Sequence, residues 1–118
     1  MARVLVVDDE ALIAMMLCDL LSEYGHETVG PAFSEQQALE LVGSTTIDAA
    51  ILDVTLGDRD CFGVAEVLRT RGIPFAFATG HGLHAMPDAF RERITVSKPF
   101  DFEAVRRTVD QLVTLSAA

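Results

Sequence analysis

Two kinds of hydrophobic pattern alternate along the chain. Apolar runs with little polar alternation, typical of strands covered on both faces, occupy residues 4–7, 28–30, 48–54, 75–79 and 94–97. Between them, apolar residues recur at the three-and-four spacing of amphipathic helices: Ile13, Met16, Leu17, Leu20; Ala38, Leu41, Val42; Val64, Val67, Leu68; Phe102, Val105, Val109, Leu112. This alternation predicts an α/β fold with a parallel sheet and crossover helices.

Polar residues mark the expected helix ends. Ser34 with Gln37 forms a capping-box pattern at the start of the second helix, and Gly43 is placed to end that helix. Asp60 is expected to cap the third helix and Asp101 the last one.

The interval before the fifth strand is the weakest helical segment. Its sequence, "HGLHAMPDAF", contains Gly82 and Pro87. We expect a short helix that begins near Pro87, or a mobile loop.

Composition bounds the class of protein. The 118 residues suit one domain, 1–118, and half of them are apolar while 23% are charged, as in ordinary globular chains. The apolar runs are too short to cross a bilayer, and Arg3 precedes only four apolar residues, so a secretory signal is not expected. We therefore expect a cytoplasmic protein without a membrane partner.

Charge and cysteine content narrow the function further. A formal net charge of −9 disfavours nucleic-acid binding, which depends on clustered lysine and arginine. Cys18 and Cys61 lack zinc-site spacing and are expected to be small core residues.

Reactive side chains stand where the predicted strands end. Asp8 and Asp9 follow the first strand, Asp53 ends the third, Thr79 the fourth, and Lys98 follows the fifth. Ligands of open parallel sheets bind outside the carboxyl ends of the strands, so these groups are expected to converge. Asp8 and Asp9 also suit a simpler role as acids at a helix start, but the other strand-end residues favour a site.

The convergent groups suit phosphoryl chemistry. Asp9 and Asp53 are candidate oxygen ligands of Mg²⁺, with Asp8 holding a metal-bound water. Asp53 is also the candidate nucleophile, because a carboxylate can attack phosphorus and form an aspartyl phosphate. Lys98 and Thr79 would hold oxygens of the phosphoryl group.

In order, "VVDDE", "AAILDV", "FAFATG" and "SKPF" resemble the signature positions of the receiver domain of two-component response regulators. The resemblance spans the chain and implies the flavodoxin-like (βα)5 doubly wound sheet with strand order 2-1-3-4-5, an order for which a chemotaxis receiver is a standard example. It also implies that Asp53 takes a phosphoryl group from a histidine kinase or histidine phosphotransfer protein. A cis Lys98–Pro99 peptide and a metal-binding backbone carbonyl at Thr55 are implied as well.

Two departures from the usual receiver pattern bear on how the signal is transmitted. Thr95 stands where most receivers have an aromatic switch residue. The stretch "PFAFATGHG" (74–82) resembles the FAT GUY subfamily of single-domain receivers, with His81 in place of its tyrosine. This resemblance implies activation through the Gly80–Gly82 loop and the weak fourth helix.

His81 and Thr55 lie two residues beyond Thr79 and Asp53, respectively. Each is either an ordinary residue of the loop or a group that sets the rate of dephosphorylation, and the sequence supports both interpretations equally.

The leading hypothesis is a stand-alone phosphoacceptor that changes protein–protein interactions, as a monomer or weak dimer, with a possible downstream protein target. A receiver fragment of a hybrid histidine kinase would look similar. A Mg²⁺-dependent phosphohydrolase of the haloacid-dehalogenase type is less favoured, because Thr55 replaces its second acid. FMN binding is least favoured, because the loop after the first strand is acidic.

Overall fold

The computed structural model describes residues 2–56, 59–79, 94–97 and 101–117. The main sheet contains five parallel strands, and its spatial order corresponds to 2-1-3-4-5 when only these strands are counted. In chain order they are β1 (Arg3–Val7), β2 (Glu27–Ala32), β3 (Ala49–Asp53), β6 (Phe75–Thr79) and β7 (Thr95–Ser97). The intervening strands, β4 (Thr55–Leu56) and β5 (Arg59–Asp60), form a separate hairpin. The predicted flavodoxin-like fold is confirmed, and all five predicted strands are present with small shifts at their ends.

Four helices are described, each after a strand or hairpin: α1 (Ala11–Glu23), α2 (Glu35–Ser44), α3 (Phe62–Thr70) and α4 (Phe102–Ala117). The weak helical segment predicted near Pro87 lies outside the described residues. None of the described helices has the length and apolar character needed to span a membrane.

The sheet separates two hydrophobic clusters. Strand residues such as Leu5 and Phe77 pack with α2 and α3 on one face, while Val6 and Ile51 pack with α1 and α4 on the other. Consecutive residues of a strand point to opposite faces, so a strand covered on both sides must be apolar throughout. This explains the unbroken apolar runs of the sequence.

The capping predictions are confirmed, with a shift of one residue at the start of α3. The Ser34 hydroxyl accepts a hydrogen bond from the Gln37 amide at 3.2 Å, and an Asp101 carboxylate oxygen accepts one from the Glu103 amide at 2.9 Å. Asp60 accepts one from the Phe62 amide at 3.0 Å, although Cys61 occupies the N-cap position itself.

The prediction that Gly43 ends α2 is wrong. The helix continues to Ser44, and Thr45 leaves it in an extended conformation. Positive φ angles occur at Gly25, Gly30 and Gly72 in the described residues, but not at Gly43. The left-handed geometry that makes glycine a helix terminator is therefore not used there.

A two-stranded antiparallel hairpin follows β3, and the sequence patterns did not predict it. It pairs β4 (Thr55–Leu56) with β5 (Arg59–Asp60). Leu56 is buried in the cluster beneath α2 and α3. The segment between β3 and α3 is therefore anchored to the core.

Candidate functional site

The sheet brings the predicted acids to one edge. β1 and β6 are both neighbours of β3, with Val7 paired to Leu52 and Asp53 paired to Ala78. The strands are parallel, so Asp8, just after β1, and Thr79, at the end of β6, lie at the same edge as Asp53.

Three carboxylates converge there. Asp8, Asp9 and Asp53 each offer an oxygen, and these oxygens all lie within 4.8 Å of one another. Asp8 is completely buried and Asp53 is 5% exposed, whereas Asp9 is exposed. Like charges at this separation repel one another, and burial strengthens the repulsion by lowering the local dielectric. The arrangement is costly for the fold alone and suits a divalent cation.

The backbone holds the Asp8 carboxylate in place. The Asp8 amide donates a hydrogen bond to the Ala32 carbonyl at 3.0 Å, which ties the residue to the end of β2. One Asp8 carboxylate oxygen accepts a hydrogen bond from the Glu10 amide at 2.9 Å, immediately before α1. Asp8 therefore also supports the chain at the start of α1. Its simpler predicted role, as an acid at a helix start, is compatible with its place in the three-carboxylate site.

The segment after Asp53 is also held by backbone hydrogen bonds. The Val54 amide donates to the Ala78 carbonyl at 3.0 Å, and the Cys61 amide donates to the Val54 carbonyl at 3.1 Å. Thr55 begins β4 within this segment. The predicted carbonyl ligand thus belongs to an anchored hairpin.

The two cysteines differ in their surroundings. Cys61 is fully buried, and burial raises the pKa of its thiol, with the Asp60 and Asp53 carboxylates adding to the shift. Cys18 is only half-buried, and burial likewise raises the pKa of its thiol. The prediction of a core cysteine is therefore confirmed for Cys61 and holds only in part for Cys18.

Asp8, Asp9 and Asp53 provide oxygen ligands, and carboxylate oxygens are the ligands that Mg²⁺ takes in phosphoryl-transfer sites. Among the described residues, this group contains no histidine or cysteine, whose imidazole and thiolate ligands suit zinc. The donor set therefore fits Mg²⁺.

Thr79 adds a buried hydroxyl-bearing side chain at the end of the neighbouring strand, 6% exposed. Thr95, at the position of the usual aromatic switch, starts β7 and is half-buried. Lys98, its peptide with Pro99, His81 and the Gly80–Gly82 loop lie outside the described residues. Their predicted roles stay predictions.

Comparison with known proteins identifies the family. A family model described as "Response regulator receiver domain" matches residues 4–110. Transcriptional regulatory protein PdtaR of Mycobacterium tuberculosis is 32% identical over 116 residues, which cover 95% of this chain and 57% of PdtaR. The chain spans about half the length of the curated relatives it matches.

Solved structures agree in fold. The solution structure of SdrG from Sphingomonas melonis Fr1 is 39% identical, with a TM-score of 0.81, covering 100% of this chain and 98% of SdrG. The receiver domain of the Erythrobacter litoralis response regulator PhyR is 29% identical, with a TM-score of 0.85, covering 96% of this chain and 90% of that domain. The chain belongs to the response regulator receiver domains of two-component systems, a family of signalling phosphoacceptors.

Proposed function

We propose that Asp53 is the phosphoacceptor of this protein, that Mg²⁺ assists the transfer, and that phosphorylation changes which proteins the chain 1–118 binds. The observation that carries the proposal is the convergence of the three carboxylates within 4.8 Å, at the sheet edge where ligands of this fold bind.

The groups that would hold the ion are the carboxylates of Asp8, Asp9 and Asp53 together with the backbone carbonyl of Thr55. When bound, Mg²⁺ would neutralise the negative charge that otherwise repels an incoming phosphoryl group. Asp8 would act through a metal-bound water. Its buried side chain is held in place by the hydrogen bond from the Glu10 amide.

The transfer itself requires one nucleophile. Receiver domains interact with histidine kinases or phosphotransfer proteins, and the proposed donor is a phosphohistidine on such a partner. A carboxylate oxygen of Asp53 attacks phosphorus, the phosphorus–nitrogen bond breaks, and the imidazole nitrogen keeps the electron pair and takes a proton. The hydroxyl of Thr79 would donate a hydrogen bond to an oxygen of the transferred group, and Lys98 would hold another.

The test is phosphorylation by acetyl phosphate, followed by intact mass, with and without Mg²⁺. We expect a single phosphoryl adduct on the wild type that requires Mg²⁺. Asp53→Asn should lose the adduct, because an amide is not a nucleophile here. Asp19→Asn, which removes an exposed acid from α1, should keep it.

Two outcomes would contradict the proposal. An adduct that persists in Asp53→Asn would place the phosphoacceptor elsewhere. Sustained release of phosphate from an ordinary phosphate monoester such as p-nitrophenyl phosphate, lost in Asp53→Asn, would indicate an aspartyl-phosphate hydrolase instead of a signalling phosphoacceptor.

A further inference from the structure

A second acidic side chain, outside the three-carboxylate site, approaches the start of α3. A β-carbon built on Gly63 would lie 2.7 Å from one carboxylate oxygen of Glu35 and 3.9 Å from the other. Glu35 is the first residue of α2 and is half-buried, while Gly63 is the second residue of α3. The close approach is possible because glycine has no side chain.

The contact is electrostatically favourable. The first amides of a helix carry a partial positive charge, which a carboxylate stabilises. The Asp60 carboxylate already accepts a hydrogen bond from the Phe62 amide at 3.0 Å. Glu35 thus brings a second negative charge to the same helix start, from a different helix.

The start of α3 is coupled directly to the acidic site. Cys61, the N-cap residue, is fully buried, and its amide donates to the carbonyl of Val54, the residue after Asp53. Burial raises the pKa of the Cys61 thiol, and the carboxylates of Asp60, Asp53 and Glu35 add to the shift. A displacement of α3 would therefore move the β4–β5 hairpin.

We propose that Glu35 is a positioning residue for the acidic site. Its carboxylate, seated against Gly63, holds the start of α3 and, through Cys61, the hairpin that contains Thr55. The inference rests on the proposed function, because it assigns the hairpin to the site that binds Mg²⁺.

The decisive variant is Gly63→Ala, which leaves the charge of the protein unchanged. Its methyl group would displace the Glu35 carboxylate, and we expect Mg²⁺ affinity to fall by about tenfold, as for other groups that orient metal ligands. Glu35→Ala should weaken Mg²⁺ binding to a similar extent. In the Glu35→Ala background, Gly63→Ala should have no further effect, because the shorter side chain leaves room for the methyl group.

The chain offers two matched controls. Glu40→Gln removes an exposed charge that lies five residues beyond Glu35 on α2. Arg71→Ala removes a hydrogen bond between α2 and the residue that follows α3, in which the Arg71 guanidinium donates to the Val42 carbonyl at 2.9 Å. That contact joins the C-terminal ends of the two helices, away from the acids, so both controls should keep wild-type Mg²⁺ affinity.

Mg²⁺ affinity is measured by calorimetric titration, and amide chemical shifts of residues 54–56 and 59–61 are recorded without metal. Shifts in Gly63→Ala with weakened Mg²⁺ binding support the positioning role. Unchanged shifts and affinity in Gly63→Ala, or equal effects of Gly63→Ala in both backgrounds, overturn it. The metal-free shifts report on the hairpin even if wild-type Asp53 accepts no phosphoryl group, so failure of the proposed function is distinguishable.

Discussion

The two edges of the main sheet use the same kinds of residues in opposite ways. At the amino ends of the strands, an Asp48 carboxylate oxygen accepts a hydrogen bond from the Arg3 amide at 2.8 Å, and the Arg3 guanidinium pairs with Glu27 at 3.1 Å. At the carboxyl ends, Asp8, Asp9 and Asp53 approach one another within 4.8 Å. The contacts at the amino edge stabilise the fold. The carboxylates at the carboxyl edge concentrate negative charge, as functional sites do.

Among variants that compare the two edges, the largest effect should come from Asp8→Asn. The asparagine keeps an oxygen to accept the Glu10 amide, but one of three converging charges is removed. We expect the metal-free variant to unfold at a higher temperature than the wild type, because the repulsion is relieved. Mg²⁺ affinity should fall by about 10- to 100-fold.

Thermal unfolding and calorimetric titration check both expectations for Asp8→Asn, with Asp19→Asn as the control. An unchanged Mg²⁺ affinity would mean that Asp8 does not help to hold the ion. Its role would then be to support the fold, as at the amino edge.

Thr79→Val should have the next largest effect. The two side chains have similar shapes, so the variant replaces the hydroxyl with a methyl group and leaves the rest of the side chain unchanged. A hydrogen bond to a charged group contributes about 1.5 kcal/mol or more, so adduct formation with acetyl phosphate should slow by about tenfold. Thr108→Val is the matched control, because Thr108 is also buried but bonds to a carbonyl within α4. Equal rates in the two variants would contradict a role for Thr79.

Asp48→Ala tests the amino edge. It removes the acceptor of the Arg3 amide, and we expect the free energy of unfolding to fall by about 1 kcal/mol. Mg²⁺ affinity and phosphorylation should not change. Urea unfolding measures the loss, and Asp48→Asn, which keeps an acceptor oxygen, should recover most of it. Reduced Mg²⁺ affinity in Asp48→Ala would mean that the two edges are not independent.

Arg3→Gln should have the smallest effect. Both partners of the Arg3–Glu27 pair are substantially exposed, at 41% and 53%, and such pairs contribute about 0.2 to 1 kcal/mol. We expect a small loss in the free energy of unfolding at low salt that disappears at high salt, where the pair is screened. A loss independent of salt would indicate that packing of the Arg3 side chain, and not its charge, is what matters.

Local features of the fold were predictable from the sequence. The run 75–79 became β6 without any change in its ends, and Asp101 caps α4 as expected. These features depend on residues close together in the chain. The hairpin after β3 was missed, because it consists of two-residue strands that lack a periodic pattern.

The sequence indicated which acids form the site, but not their burial or the distances between them. Asp8 and Asp9 are adjacent and chemically identical, yet the first is fully buried and the second is exposed. That difference depends on which way each side chain points once β1 is paired on both sides. The approach of Glu35 to Gly63 was likewise not predictable, because it joins two helices and local sequence patterns do not indicate how helices pack.

The strand and helix order follows from the sequence alone, as do the apolar runs that cover both sheet faces and the acidic residues at the strand ends. Hydrophobic periodicity and capping act over a few residues, so they can be read directly. Packing between distant segments sets how close the three carboxylates lie, which of them is buried, and which helix contacts the start of α3. These distances arise from packing between segments far apart in the chain, where a shift of one residue or one rotamer changes the geometry of the site.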